Sequence, residues 1–175
     1  MRIAIVHDWL SNTRGGAEEV LIRLTQLYPQ ADIFCLTLDK KKYPELSDRN
    51  VTTSWLGKLP SFLRKRTGFL TVFAPHAIER LDVTSYDLVI SSSNSFAKGV
   101  KVPKAATHVC YCYSPMRYVW DYWPQWLTER AHNPISRAYI TWLTHRLRLW
   151  DWYSSQGVDR WIAISDTVAG RIKKY

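Results

Sequence analysis

The stretch RIAIVHDWLSNTRGGAEEVLIRLTQL, residues 2–27, decides the fold. It opens on an unbroken apolar run, RIAIV (2–6), of the length of a buried strand. Residues 17–28 then set Val20, Leu21, Leu24 and Leu27 at helical spacing, and Pro29 ends the element. Gly15 and Gly16 sit just before the helix. Without a Cβ, each can take positive φ and lets a ligand approach the main chain. The free N–H groups of the first turn and the helix dipole suit an anion there. Arg14 adds a positive charge, whereas Glu18 and Glu19 favour the helix but oppose a phosphate aimed straight at them. The loop has neither the GxGxxG spacing of a dinucleotide site nor the G-K-[ST] of a P-loop.

The alternation continues along the chain. ADIFCLTL (31–38), DLVISSS (87–93), THVCYCY (107–113) and DRWIAIS (159–165) read as strands, with VTTSW (51–55) a weaker one. Residues 57–82 read as helical pieces. Residues 134–155 form a long helix with Ile140, Leu143, Leu147 and Trp150 on one stripe, and DTVAGRIKKY opens a last helix. Continuous apolar strands separated by helices predict an α/β fold: a Rossmann-like parallel sheet of five to six strands with helices on both faces. Ligands of such sheets gather at the carboxyl ends of the strands. Those ends carry HDWLSNTRGGAE, SSSNSF, YSPMRYVWD and SDTVAG, the polar parts of the chain.

The 175 residues fit one well-buried domain. A formal net charge of +9 favours anionic partners: nucleic acid, phosphorylated ligands or an acidic membrane. Cys35, Cys110 and Cys112 form no disulfide framework and lack the spacing of a zinc ribbon. They read as core thiols of a reducing compartment, with Cys110 and Cys112 on one strand face. No signal peptide or membrane-spanning run is present, so a cytoplasmic location is expected.

IVHDWLSNTRGGAEEV, YCYSPMRYVWD and AISDTVAGRIKKY, in this order, resemble the N-terminal half of retaining GT-B glycosyltransferases of family four, and among these the mannosyltransferase-like enzymes of surface-polysaccharide assembly. The resemblance covers nearly the whole chain. It implies that residues 1–175 are a single acceptor-side domain, and that the C-terminal domain, which binds the nucleotide-sugar through an E-x7-E motif, is absent. It implies transfer of a sugar from a nucleotide-sugar such as GDP-mannose to a glycan or lipid-linked acceptor, with no metal and no further cofactor. The chain alone is then expected to be inactive. Arg14, Gly15 and Gly16 are expected at the donor diphosphate, and Asp8, Asn94, Tyr113, Ser114 and Arg117 along the acceptor side of the cleft. Tyr113 stands where related sequences carry histidine; it donates a hydrogen bond but does not titrate near neutrality. A different reading is a non-catalytic glycan- or membrane-binding module that partners a separate donor domain.

Several of these residues also have structural readings. Arg117 suits a phosphate or an ion pair with Asp121. Asp8 suits the cleft or a loop cap. Ser91 to Ser95, with Asn94, suit sugar hydroxyls or a turn. In GKLPSFLRKRTGFLTVF (57–73), Lys58, Arg64, Lys65 and Arg66 lie among large apolar residues including Phe62, a composition that fits the anionic inner face of a membrane. Six of the nine tryptophans fall between Trp120 and Trp152, accompanied by arginines. That combination suits a membrane interface, base stacking or the packing of a helical layer. Packing is the default because Trp150 continues the apolar stripe. No nucleic-acid motif is present, and no nucleic-acid partner is expected.

Overall fold

A computed structural model of the chain describes residues 1–11, 14–64 and 67–175. Six parallel strands form one sheet: β1 (Ile3–Leu10), β2 (Asp32–Leu38), β3 (Val51–Thr53), β4 (Leu88–Ser93), β5 (Thr107–Cys112) and β6 (Arg160–Ala163). Their spatial order is β3-β2-β1-β4-β5-β6, the doubly wound order of a Rossmann-like sheet. The expected α/β fold is therefore present.

The apolar runs of β1, β2 and β4 are continuous because these central strands are buried on both sides, whereas the edge strands β3 and β6 are half-exposed. In β1, Ile3 and Ile5 enter one core with Ile33, Leu21 and Tyr43, while Ala4 and Val6 enter the other with Phe34, Val89 and Leu143. The first core is covered by α1 (Gly16–Leu27) and a 3-10 turn at Pro44–Leu46. After the short helix α2 (Ser61–Arg64), the second lies under two further short helices, α3 (Thr67–Leu70) and α4 (Ala74–Glu79), and two longer ones, α5 (Trp123–Arg130) and α6 (Pro134–Ser155). The last helix, α7 (Asp166–Lys174), packs Val168 onto Cys110 and Cys112. All three cysteines are free and buried, and burial pushes the Cys35 thiol up to about 12.

Local sequence sets the helix ends. Asn133 accepts from the Ser136 N–H at 2.8 Å, the Ser136 hydroxyl reaches back to Asn133, and Pro134 occupies the first turn of α6. The stripe Ile140, Leu143, Leu147 and Trp150 faces the core as its spacing predicts. In α1 the buried residues are Leu21, Ile22 and Thr25, whereas Leu27 is 69% exposed, so the inward stripe is rotated from the one read off the sequence. Thr25 is tolerated inside because its hydroxyl donates to the Ile22 carbonyl at 2.8 Å. VTTSW keeps only three strand residues, because Ser54 caps a 3-10 turn by accepting from the Leu56 N–H.

Two packing details are testable. The Trp150 ring lies directly on Gly99, where an added Cβ would overlap it. The ring has little room to yield, being held by Glu79 at its Nε1 (2.6 Å) and by Phe96 at its face. Gly99→Ala is expected to lower stability by about 1–3 kcal/mol, read from the urea midpoint.

His108 is buried, with its ring between Ser91 Oγ (2.9 Å) and the Gly157 carbonyl (3.0 Å), and burial holds its pKa below the ordinary histidine value. Below about pH 6.5 the unfolded chain takes up a proton that the folded chain resists, so stability falls as pH drops from 7 to 5. His108→Gln is expected to flatten that fall in melting temperature; parallel profiles would refute the assignment.

Candidate functional site

Because all six strands are parallel, their C-terminal ends line one edge of the sheet. The strand order reverses at β1, whose neighbours are β2 and β4, so the crevice between β1 and β4 is the switch point where ligands of such sheets bind. The glycine loop enters α1 beside this crevice.

A buried polar circuit ties the loop to three strands. Gly15 N–H donates to Glu18 Oε2 at 2.8 Å. Glu18 Oε1 lies 3.9 Å from His7 Nε2, at the middle of β1. His7 Nδ1 shares a hydrogen bond with Ser92 Oγ of β4 at 2.9 Å. Ser92 Oγ in turn meets the Tyr113 hydroxyl, just beyond β5, at 2.8 Å. Tyr113 then donates to the Ala17 carbonyl at 3.0 Å, which returns the circuit to α1. The His7 ring and then the backbone N–H groups hold the Glu18 carboxyl below the usual carboxylate range. Burial pushes the Tyr113 phenol well above its ordinary value, so it stays a neutral donor at physiological pH. The tyrosine expected to line the cleft thus also anchors the glycine helix. Tyr113→Phe is expected to cost about 1–2 kcal/mol, read from the urea midpoint, by leaving the Ala17 carbonyl and Ser92 hydroxyl underpartnered.

The glycines do not serve through unusual backbone angles. Gly15 is extended, and no described glycine has positive φ. What they supply is space: nothing lies within 4 Å of a Cβ built on Gly16, while one on Gly15 would crowd Glu18. Arg14 does not offer a free charge. Its guanidinium binds Glu19 Oε1 at 2.6 Å and Glu45 Oε1 at 2.7 Å. Any anion at this loop therefore meets backbone N–H groups rather than Arg14.

Asp8 serves the loop after β4 and not the cleft. It is 4% exposed, and its two oxygens accept from four consecutive main-chain N–H groups, those of Asn94, Ser95, Phe96 and Ala97, at 2.6–2.9 Å. The serines likewise satisfy the interior: Ser91 pairs with His108, Ser92 with His7, and Ser93 Oγ accepts from Lys98 N–H. The Asn94 side chain stays exposed at the edge. Ser114 is buried, and its hydroxyl has no hydrogen-bond partner among the described residues. Arg117 does not pair with Asp121, which faces Arg171 at 2.9 Å and the Tyr175 hydroxyl. The Arg117 guanidinium is exposed and lies over the Tyr122 ring at 5.4 Å, with no carboxylate among the described residues in reach.

Beside the crevice, a cleft of about 590 Å³ opens at the ends of β1, β2 and β3. Ser11, Thr53 and Ser61 contribute hydroxyls to its wall, and Lys40, Lys41 and Arg64 contribute positive charge. Arg64 Nη1 donates to the Leu38 carbonyl at 3.2 Å, while its buried Nε has no partner among the described residues. Lys58 and Phe62 are exposed nearby in sequence, and the other two residues expected at a membrane, Lys65 and Arg66, lie outside the described residues. Among the described residues no acidic, histidine or cysteine cluster is arranged to hold a metal, and no helix is long and apolar enough to cross a membrane.

Comparison with protein families, curated proteins and solved structures finds no match. The chemistry of the edge must therefore be read from its own residues. The sequence marked Glu18 as a first-turn acid and Ser92 within the run Ser91 to Ser95, but linked neither of them to His7. Their roles depend on contacts across up to 85 positions, for which local pattern carries no signal.

Proposed function

We propose that the chain is the acceptor-side half of a retaining GT-B glycosyltransferase. It would work at the cytoplasmic face of a membrane with a donor domain that binds the nucleotide-sugar. The carrying observation is the open backbone at Gly16, at a helix N-terminus beside the switch point of a doubly wound sheet. In this reading the donor diphosphate approaches the N–H groups of Gly16 and Ala17, where the helix dipole stabilises charge developing on the leaving group. The acceptor glycan lies along the neighbouring cleft, its hydroxyls meeting Ser11, Thr53 and Ser61 and any phosphate meeting Lys40, Lys41 or Arg64. Asn94, Tyr113 and Arg117 close the other side. Ser114, with its unpartnered hydroxyl, is a candidate to reorient towards bound sugar.

Gly16→Val tests the backbone-approach role. Its side chain enters open space, so folding is retained, but it shields the main chain from a ligand. In the assembly isolated from native cells, sugar transfer is expected to fall at least about tenfold, the effect of losing oxyanion-type donors. Unchanged transfer would remove the glycine loop from the site.

A further inference from the structure

The helix α6 carries two apolar stripes, and the inner one alone accounts for its packing on the sheet. The outer one consists of Ile135, Tyr139, Trp142, Leu149 and Tyr153, which are 82%, 47%, 53%, 46% and 67% exposed. They recur at alternating helical steps of four and three, with Arg146 filling the single gap. A surface helix needs one such stripe; a second one along a 22-residue helix, ~33 Å long, is a face without a partner.

A second group of exposed aromatic side chains lies distant in sequence. Trp55, Phe73 and Phe69 form an edge-to-face chain at 6.1 and 5.9 Å, and Phe62 is 64% exposed beside them. The Arg130 guanidinium at the end of α5 lies against Gly68, so the end of α5 meets α3. Of the fifteen exposed large apolar side chains among the described residues, eleven belong to segments 55–73 and 122–153, so the exposure is concentrated in these two segments.

Charge selects the occupant. Arg137 and Arg146 project from α6 with no carboxylate among the described residues in reach, and His145 is exposed between them in sequence. The one acid of α6, Asp151, is buried against Lys98. A second copy laid along α6 would set arginines against arginines with no helix acid to balance them. An anionic leaflet supplies both an apolar layer for the stripe and negative headgroups for its flanks. Tyrosine and tryptophan dominate the stripe, and their rings favour that boundary.

We propose that the outer stripe of α6 docks on an anionic lipid bilayer with α6 lying in the headgroup plane. The contact is independent of the sugar-transfer reading. It also assigns the exposed tryptophans Trp142 and Trp152 a lipid role, leaving Trp120 and Trp150 to packing.

The test is co-sedimentation of the 175-residue chain with phosphatidylcholine vesicles, alone or containing about a third phosphatidylglycerol. Binding is expected only with phosphatidylglycerol and weakens in high salt. The pair Arg137→Glu with Arg146→Glu, and separately Trp142→Ala with Tyr153→Ala, are each expected to weaken it at least about tenfold. These side chains are exposed, so melting temperatures hold. Brominated lipid is expected to quench tryptophan fluorescence, and Trp142→Phe with Trp152→Phe to remove most of that quenching. No binding at low salt, or variants that bind like the parent chain, would overturn the proposal. So would light scattering that shows a dimer dissolved by the same variants, because the face would then pair two copies.

Discussion

Asp8→Ala is expected to lower the stability of the folded chain by roughly 4 kcal/mol or more, because it orphans four main-chain N–H groups at once. Each unpaired buried donor costs about 1–3 kcal/mol, and the carboxylate is buried well enough that water replaces it only in part. Against a usual total of about 5–15 kcal/mol, this places the variant near the edge of folding. Asp8→Asn separates shape from chemistry. It keeps one acceptor oxygen but turns an NH₂ group towards donors, so it is expected to recover less than half of the loss. Urea denaturation of the two variants measures both quantities. If Asp8→Asn matched the parent chain, the carboxylate would not be the clamp of the loop after β4.

The second large effect concerns the other side of the same loop. The Lys98 ammonium, itself 4% exposed, donates to the Ser95 carbonyl at 2.8 Å and to Asp151, whose second oxygen accepts from Trp120 Nε1 at 2.8 Å. Burial alone would lower the Lys98 pKa, but the Asp151 carboxylate outweighs it and leaves the ammonium above its ordinary value. Removing one partner strands the other charge in the interior. Lys98→Met or Asp151→Leu alone is therefore expected to cost about 3–5 kcal/mol. The double variant strands no charge and is expected to be more stable than either single one, with a coupling on the order of 2 kcal/mol in a double-mutant cycle. Additive losses would mean that the two groups do not act as a pair. Together, Asp8 and Lys98 hold Ser95 at its N–H and its carbonyl, and so fix the loop that presents Asn94 at the sheet edge.

Much of the architecture was legible because parallel strands buried on both faces leave unbroken apolar runs, as in IAIV and LVI, and because Asn133-Pro134 marks the start of α6 chemically. The ends of the elements were less so. β1 continues through His7 and Asp8 to Leu10 because both polar side chains find internal partners, and sequence pattern registers polarity but not whether it is satisfied. The same limit hid the site. Arg14 reads as a spare charge until Glu45 is folded against it, and Asp8 reads as a cleft acid until the loop after β4 closes over it. Gly15 and Gly16 were correctly found at a helix N-terminus, but for the space they leave rather than for their backbone angles. The tryptophan-rich segment proved to be two faces of one helical layer, since Trp150 packs inward while Trp142 points outward.

Sugar transfer, as proposed, is to be measured first, on the chain captured from native cells together with any donor domain bound to it. The captured material is incubated with radiolabelled nucleotide-sugars, GDP-mannose first, and a lipid extract of the same membranes. The account predicts label entering the lipid or glycan fraction with the captured assembly and none with the 175-residue chain alone. Failure of the assembly to transfer label from any nucleotide-sugar, or transfer by the isolated chain, would contradict it.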